Sequence, residues 1–454
     1  MPSIYVKTYG CQMNERDSEA VIAQLMARGY TVASSEAAAD VVLLNTCSVR
    51  DMAEQKALGK MKDLAGRDRQ RGGKQILGFL GCMAQSRGES LVQEVPGVRL
   101  VLGTQKLHRT AESLDALRLG GATSVVATEA EAGSESALVE HLHEQGSPRR
   151  AVTAMVSIMQ GCNQHCTFCI VPQTRGRERS RDLEGVVREC RDLAARGVRE
   201  VTLLGQIVTS YGRREIPVRD GKSAFVQLLE AVDQVDGLAR VRFTSPHPKG
   251  YGDDLVDAYG RLEKLCPQAH LPLQSGSDRM LRAMHRGYTR ERYVELVHRL
   301  RAARPGMGVT TDIIVGFPGE TEEDFEQTLE VVREAAFEQA YIFKYSPRRD
   351  TPATALPGAV SEEVLDERNQ RLLAVVNDIG RRKYEALVGT RVSILVEGPS
   401  RKNAARLEGR TGCGKIVVFE GGDRHVGQVM DVRVERVGSF TLYGDPAVVG
   451  MEGN

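Results

Sequence analysis

GCNQHCTFCIVP, running from Gly161 to Pro172, sets Cys162, Cys166 and Cys169 in a C-x3-C-x2-C pattern. Three thiolates on one short loop can all point at one centre, and soft sulfur ligands suit iron. The stretch therefore offers three corners of a four-iron cluster and leaves the fourth iron without a protein ligand. His165, between the first two cysteines, keeps a Cys3His zinc site open, because structural zinc takes four ligands in a closed tetrahedron. Gly161 and Asn163 give the segment the composition of a loop, which weighs against three thiols simply packed into a core.

Outward from this loop, apolar extended runs alternate with helical patterns. Strands are expected at Ala151 to Met159, Glu200 to Gly205, Arg240 to Thr244, Ala269 to Leu273, Gly308 to Val315 and Ala340 to Tyr345. Helices are expected at Glu184 to Arg196, Ala224 to Val235, Arg290 to Ala303 and Glu322 to Ala336. Such units imply a partial parallel (β/α)6 barrel, whose functional residues gather at the strand carboxyl ends. The cysteine loop follows the first strand, Gln206 the second, Gln274-Ser275-Gly276-Ser277 the fourth and Gly316-Phe317-Pro318-Gly319 the fifth. All should line one mouth, although Gly-Phe-Pro-Gly also reads as a plain turn and Gln274 as a capping residue. RGRERSR, Arg175 to Arg181, is either a solvated face or a hold for a polyanion's phosphates beside the chemistry. Cys190 within a helical pattern and Cys266 before Pro267 read as structural.

The first hundred residues repeat one arrangement: an apolar run, a cysteine, a helical pattern. The runs are Ile4 to Tyr9 before Cys11, Val41 to Asn45 before Cys47, and Ile76 to Leu80 before Cys82. Alternation of this kind implies βαβ units and a parallel sheet, in which residues just past the carboxyl ends share one rim. Cys11, Cys47 and Cys82, roughly 35 residues apart in sequence, should therefore converge as a second iron-sulfur site, the bland alternative being three idle buried thiols. A fourth run, Arg99 to Gly103, and a helical stretch, Lys106 to Arg118, complete this block. Gly120 to Arg150 is rich in Ala, Glu, Gly and Ser and reads as a linker with a short strand at Ser124 to Thr128.

Ser361 to Leu387 reads as a long helix. Beyond it, Arg391 to Glu397, Arg406 to Thr411, Lys415 to Phe419, Gln428 to Val437 and Phe440 to Gly444 form glycine-separated strands of a small β-barrel of a type that handles RNA. Its basic side chains, Arg401, Lys402, Arg406, Arg410 and Lys415, are nearly balanced by acids, and Cys413 reads as a turn residue.

The chain of 454 residues, with 41% hydrophobic and 27% charged residues, is long enough for two to four domains. A net charge of +1 announces no nucleic-acid partner, so any such binding rests on local patches. No run of ~18 apolar residues and no signal-like N-terminus is present, so no membrane association and a cytoplasmic location are expected. Nine cysteines are too scattered for a disulfide scaffold.

With these residues in place, the chain resembles the radical SAM methylthiotransferase family over essentially its full length, SAM being S-adenosyl-L-methionine. The resemblance is carried by TYGCQMN at Thr8 to Asn14, LNTCSVR at Leu44 to Arg50, LGCMAQ at Leu80 to Gln85, GCNQHCTFC with its aromatic Phe168, LPLQSGSD at Leu271 to Asp278 and IVGFPGET at Ile314 to Thr321. It implies an α/β chain with an N-terminal parallel-sheet methylthiotransferase domain over 1–119, a linker over 120–149, a radical SAM partial barrel over 150–386 and a TRAM domain over 387–454. It also implies two [4Fe-4S] clusters, one on Cys162, Cys166 and Cys169 whose open iron grips SAM, and an auxiliary one on Cys11, Cys47 and Cys82. Gln206, Gln274 and Ser275 are the candidates for contacting SAM, and no side chain is assigned as acid or base.

Within the family, RFTSPHPK at Arg242 to Lys249, RGYTRERY at Arg286 to Tyr293 and FKYSPRRDTPA at Phe343 to Ala353 are most similar to members that put a methylthio group on C2 of N6-dimethylallyladenosine beside the anticodon of tRNA. Ile207 and Thr209 stand where such members typically have asparagines, and Arg349-Asp350 where they have Pro-Gly. The implied partners are the anticodon arm with its prenylated adenosine and a low-potential electron donor, the chain itself being a monomer. Sister activities on threonylcarbamoyladenosine in tRNA or on a ribosomal-protein aspartate use the same machinery. A metal-containing RNA-binding protein without catalysis is the reading from another class. About eight irons per chain would support an enzyme with two clusters, and a single zinc the binder.

Overall fold

The computed structural model describes residues 1–48, 51–137, 141 and 152–446. At the N-terminus, β1 (Ser3–Tyr9), β2 (Thr31–Val32), β3 (Val41–Thr46), β4 (Ile76–Gly81), β5 (Val98–Leu102) and β6 (Val125–Ala127) form one parallel sheet in the order β2-β1-β3-β4-β5-β6. The helices between them are α1 (Gln12–Ala27), α2 (Asp51–Gln70), α3 (Cys82–Arg87), α4 (Ser90–Glu94) and α5 (Thr110–Arg118). Parallel strands need such crossovers, and the crossovers cover both faces of the sheet. β3 shows the result: Val41 and Leu43 pack with Val21, Leu25 and Leu114 on one face, while Val42 and Leu44 pack with Leu58, Met61 and Leu64 on the other. The short strand expected at Ser124 to Thr128 is β6, the last strand of this sheet. The tail of the expected linker, 142–150, lies outside the described residues.

The central block begins with β7 (Thr153–Ser157), followed by β8 (Met159–Gln160), α6 (Val171–Arg175) and β9 (Arg179–Ser180). There follow α7 (Leu183–Ala195), β10 (Glu200–Leu204), α8 (Ala224–Asp233), β11 (Arg240–Phe243), α9 (Asp253–Arg261) and β12 (Gln268–His270). α10 (Asp278–Ala283), α11 (Arg290–Ala303), β13 (Gly308–Val315), α12 (Glu322–Ala335), β14 (Gln339–Lys344) and α13 (Glu362–Glu385) complete it. β7, β10 and β11 make one parallel half and β12, β13 and β14 the other. A parallel bridge between Val241 and Leu265, with Cys266 N–H donating to Val241 O at 2.9 Å, joins the halves into an open arc. Its helix-facing side chains form a single core running from Val156 to Val376.

Two expectations change here. The strand expected over Ala151 to Met159 breaks at Ile158, because Met159 and Gln160 leave the arc to pair antiparallel with Ser180 and Arg179. The fourth strand ends at His270 and not at Leu273. Beyond it the backbone follows β13 irregularly, with Leu273 N–H donating to Thr311 Oγ1 at 3.0 Å and Gln274 N–H to Asp312 O at 2.8 Å.

At the C-terminus, β15 (Arg391–Pro399), β16 (Leu407–Thr411), β17 (Ile416–Phe419), β18 (Val429–Val437) and β19 (Thr441–Pro446) close into a barrel in the order β15-β16-β17-β19-β18. Ile394, Val396, Val417, Phe419, Val432, Val434 and Leu442 fill it. This barrel docks beneath the amino ends of β10 to β13. Buried Arg242 donates to Thr411 O at 2.8 Å, to Gly412 O at 2.7 Å and to Glu200 Oε1 at 2.9 Å. Arg240 reaches Arg410 O and Ser393 O of the same barrel.

Candidate functional site: two facing cysteine triads

Strand register brings the first triad together. Tyr9, Thr46 and Gly81 lie in one row across β1, β3 and β4. Parallel neighbours stand ~4.8 Å apart, so the residues that follow, with Cys47 and Cys82 among them, leave the sheet side by side. Cys47 N–H donates to Tyr9 O at 2.8 Å, and Cys11 follows Gly10 at the start of α1. Beneath them Asn14 and Asn45 exchange hydrogen bonds at 2.9 Å, Asn45 also donates to Ser18 Oγ, and Cys11 Sγ donates to Asn14 Oδ1 at 3.3 Å. Gly81 is obligatory in this packing: its φ is +87°, and a Cβ there would stand 2.1 Å from Asn45 Oδ1. Cys47 and Cys82 are buried and Cys11 is exposed. A hydrogen bond with Cys47, aided by the Arg175 guanidinium, lowers the Cys11 thiol to about 6, whereas burial raises the Cys82 thiol.

The second triad is held by a neck and two clamps. β8 and β9 pair across the ends of the cysteine loop, and Cys162 N–H donates to Gly176 O at 3.1 Å. Thr167 Oγ1 donates to Ala283 O at 2.9 Å, Thr167 O accepts from Ala353 N–H at 2.9 Å, and the Phe168 ring meets Phe317 edge-on within an apolar pocket of Met280 and Met284. Arg286, buried, donates to Cys166 Sγ at 3.4 Å and to Pro272 O at 3.3 Å. Burial pushes the Cys162 thiol to about 11 and the Cys169 thiol to about 12. His165 is exposed, and among the described residues no group of three His, Cys, Asp or Glu side chains could hold a single metal ion. Neither observation supports a Cys3His zinc site. Zinc would draw its ligands to within ~2.3 Å, whereas a cluster spreads its thiolates over several irons.

Gly161 has φ +83°, and a Cβ there would lie 2.0 Å from Arg177 O. Gly161→Ala is therefore expected to open the neck and lose roughly half the iron after anaerobic reconstitution, measured as iron per chain, one cluster surviving. Full iron content in the variant would show that the neck does not shape the site.

The three candidates for SAM contact differ in their surroundings. The side chain of Gln206 accepts from Gly161 N–H, so it braces the loop. Ser275, 1% exposed, is engaged by Thr328 Oγ1 and by Ser277 N–H, and Gly276 packs so closely that a Cβ would lie 2.5 Å from Thr328 Cα. Gln274 holds φ at +68°, an uncommon conformation outside glycine, and its side-chain amide bonds no other described residue. Of the three, Gln274 is the one whose side-chain amide has no partner among the described residues, its backbone being bonded to β13.

The segment is pinned through Asp324. Ser277 Oγ donates to it at 2.6 Å, and Arg279 and Thr321 also bind it. Burial opposes its charge, but these donors lower its carboxyl to about 2. A depressed carboxyl contributes stability that is present above the ordinary value near 4 and is lost as pH falls toward 2. The wild type is expected to lose ~2 kcal/mol of unfolding free energy between pH 4 and pH 2 through this group, and Asp324→Asn to flatten that part of the pH curve. Chemical denaturation across that range checks it.

The RGRERSR run is not a phosphate hold. Arg175 and Arg181 are 2% and 4% exposed, Arg175 pairs with Asp17 at 2.8 Å, Arg181 with Glu189 at 2.6 Å and Arg179 with Glu135 at 2.9 Å. β9 and the domain interface absorb these charges, leaving Arg177 exposed. The Arg349-Asp350 departure sits in a turn where Asp350 has φ +61°, which Asp tolerates, and its carbonyl accepts from Gln173 Nε2 at 2.8 Å. Ile207 is buried, and Thr209 Oγ1 accepts from His247 N–H.

The two rims face each other through α6. It follows directly on the cysteine loop, its residue Thr174 accepts from Thr104 Oγ1 of the N-terminal domain at 2.6 Å, and its last residue, Arg175, lies against Cys82. Five residues of helix span only ~7.5 Å.

The chain matches the models of three families: the Radical SAM superfamily over residues 156–332, the Uncharacterized protein family UPF0004 over residues 3–103, and the TRAM domain over residues 385–447. It is 52% identical to the tRNA-2-methylthio-N(6)-dimethylallyladenosine synthase of Opitutus terrae, over 99% of this chain and 98% of that one. It is 50% identical to the protein of the same name from Akkermansia muciniphila, over 98% and 99%. The chain belongs to the tRNA-2-methylthio-N(6)-dimethylallyladenosine synthase family. A further member of the synthase family, from Methylacidiphilum infernorum, is 47% identical over 100% of this chain and 96% of its own. Among solved structures, the radical S-adenosylmethionine methyltransferase TsrM from Kitasatospora setae has a TM-score of 0.59 at 14% identity, covering 84% of this chain and 89% of that one. The cobalamin-dependent S-adenosylmethionine radical enzyme OxsB has a TM-score of 0.52 at 12% identity when free of ligands, covering 84% and 57%. At such identities the likeness is one of fold, shared with the synthase family.

Proposed function

We infer that this enzyme places a methylthio group on C2 of N6-dimethylallyladenosine in tRNA, using SAM and two [4Fe-4S] clusters. Full-length relatives at 47% to 52% identity support the substrate. The observation that carries the reading is the pair of cysteine triads on facing rims, joined by one turn and a half of helix.

Cys162, Cys166 and Cys169 are proposed to hold the cluster that binds SAM, with Gln274 the side chain free to contact it. Cys11, Cys47 and Cys82 are proposed to hold the auxiliary cluster. When bound, these groups supply the one-electron chemistry and the sulfur. The C2 hydrogen of adenine has no useful acidity, so no side chain of ordinary basicity removes it, and the protein's part is to position and shield. Thr167 and Phe168 fix the loop, Arg286 neutralises charge at Cys166, and Asn14, Asn45 and Ser18 set the floor of the N-terminal triad. The proposed domain division is a sulfur-holding domain over 1–119, a connection over 120–149 whose β6 adds the last strand to that domain's sheet, the SAM barrel over 150–386 and an RNA-holding barrel over 387–454. A low-potential electron donor, a monomeric chain and a cytoplasmic location belong to the same reading. No helix of the described residues is long and apolar enough to cross a membrane.

An anaerobic reaction with SAM, reductant and anticodon-arm RNA bearing N6-dimethylallyladenosine tests it. The expected product has SCH3 in place of H at C2. Turnover only on RNA bearing threonylcarbamoyladenosine would overturn the substrate assignment.

A further inference from the structure

Arg175 is the most completely enclosed cation of the RGRERSR run, with its side chain 2% exposed. It reaches the N-terminal triad from the other domain: α6 belongs to the barrel, yet the guanidinium at its end lies against Cys82 and within electrostatic range of Cys11. Its Nη2 stands 2.8 Å from Asp17 Oδ2, but among the described residues neither Nη1 nor Nη2 has an aligned hydrogen-bond acceptor. Guanidinium N–H groups buried without acceptors are costly, and a charge sealed from water is tolerated only beside opposite charge. One carboxylate, Asp17, is already present. Three deprotonated cysteines carrying an iron-sulfur group would bring further negative charge and several sulfur acceptors beside this guanidinium.

We propose that Arg175 is the counter-charge and hydrogen-bond donor of the iron-sulfur group held by Cys11, Cys47 and Cys82, supplied across the domain interface by the SAM barrel. This rests on the assignment of that triad as cluster ligands. Arg175 is a positioning residue: it sets the reduction potential of the N-terminal cluster and holds its sulfur face toward the barrel. Hydrogen bonds and positive charge at the sulfurs favour the reduced form, so the potential depends on Arg175. Asp17 acts in the opposite sense, because it shares the same guanidinium and adds negative charge.

The test uses the full chain carrying Cys162→Ala, Cys166→Ala and Cys169→Ala, so that only the N-terminal cluster is reconstituted. About four irons per chain confirm its ligands, and their absence overturns the ligand assignment itself. In this background the midpoint potential is measured by redox titration followed by electron paramagnetic resonance, with iron retention under a chelator as a second readout. Arg175→Gln is expected to lower the potential and speed iron loss. Asp17→Asn is expected to raise the potential, Asp17→Asn with Arg175→Gln to fall between, and Arg175→Lys to recover part of the wild-type value. A purely structural role would lower the thermal midpoint of Arg175→Gln and Asp17→Asn alike and would not move their potentials in opposite directions. A cluster present at full iron content, with a potential unchanged in both Arg175→Gln and the double variant, would overturn the proposal.

Discussion

Cys47→Ala is expected to leave reductive SAM cleavage within about twofold of wild type while methylthio transfer falls to background. Cys166→Ala is expected to abolish both. The contrast follows from where each thiol lies. Cys47 extends a central strand of the N-terminal sheet, beside Gly10, and is 2% exposed. Its loss removes one thiol of the N-terminal triad and leaves the three cysteines of the C-x3-C-x2-C loop in place. The substitution is small, so the fold should lose no more than ~1 kcal/mol. Cys166 sits within the barrel loop against Arg286, and its replacement leaves that buried guanidinium without its sulfur partner. Release of 5′-deoxyadenosine, measured beside product mass, separates the outcomes. Undiminished cleavage in Cys166→Ala would show that the barrel loop is not the SAM site.

Arg242→Met is expected to have the largest effect on stability. The guanidinium sits between the two C-terminal blocks, bonded to Glu200 and Gln268 on one side and to the carbonyls of Thr411 and Gly412 on the other. Removing it leaves Glu200, 2% exposed, as an unpaired buried carboxylate, which costs ~3–5 kcal/mol. The small barrel then loses its hold on the arc. A lowered thermal midpoint, faster proteolysis near Gly389 and weaker tRNA binding should appear together. Glu200→Gln combined with Arg242→Met should recover part of the stability, because no lone charge remains. An unchanged midpoint in Arg242→Met would mean the docking does not depend on this pair.

This network also shows what could be read from the chain before its fold was known. The triads were legible because two simple rules apply: close spacing gathers Cys162, Cys166 and Cys169, and a parallel sheet gathers whatever follows its strands, as it does Cys11, Cys47 and Cys82. The arc and the closed barrel were legible from apolar periodicity and glycine punctuation. Long-range pairing was not. Arg175 looks like part of a charge run because its partner, Asp17, lies far away in sequence on α1, and Arg181 because its partner, Glu189, sits on the next helix, α7, at a distance only the fold brings together. Gln206 and Ser275 are candidates for SAM contact because polarity at a strand end does not say whether a side chain faces a cofactor or its own backbone, and both also bond protein groups. The β8–β9 neck was hidden by length, since two-residue strands carry no period.

Glu189 on α7 collects Arg181, His141 and Arg16, so the connection between the first two domains is fastened to both. α6 adds a second tie, rooted in the C-x3-C-x2-C loop and ending with Arg175 beside Cys82 and Asp17 of the N-terminal domain. The interval between the two centres is thereby a fixed property of a single short rod. Swinging the domains apart like jaws would have to break the Thr104–Thr174 hydrogen bond and the Asp17–Arg175 pair at the end of this rod. The open edge of the arc, where its strands stop short of a full circle, is the side from which a nucleoside is expected to enter.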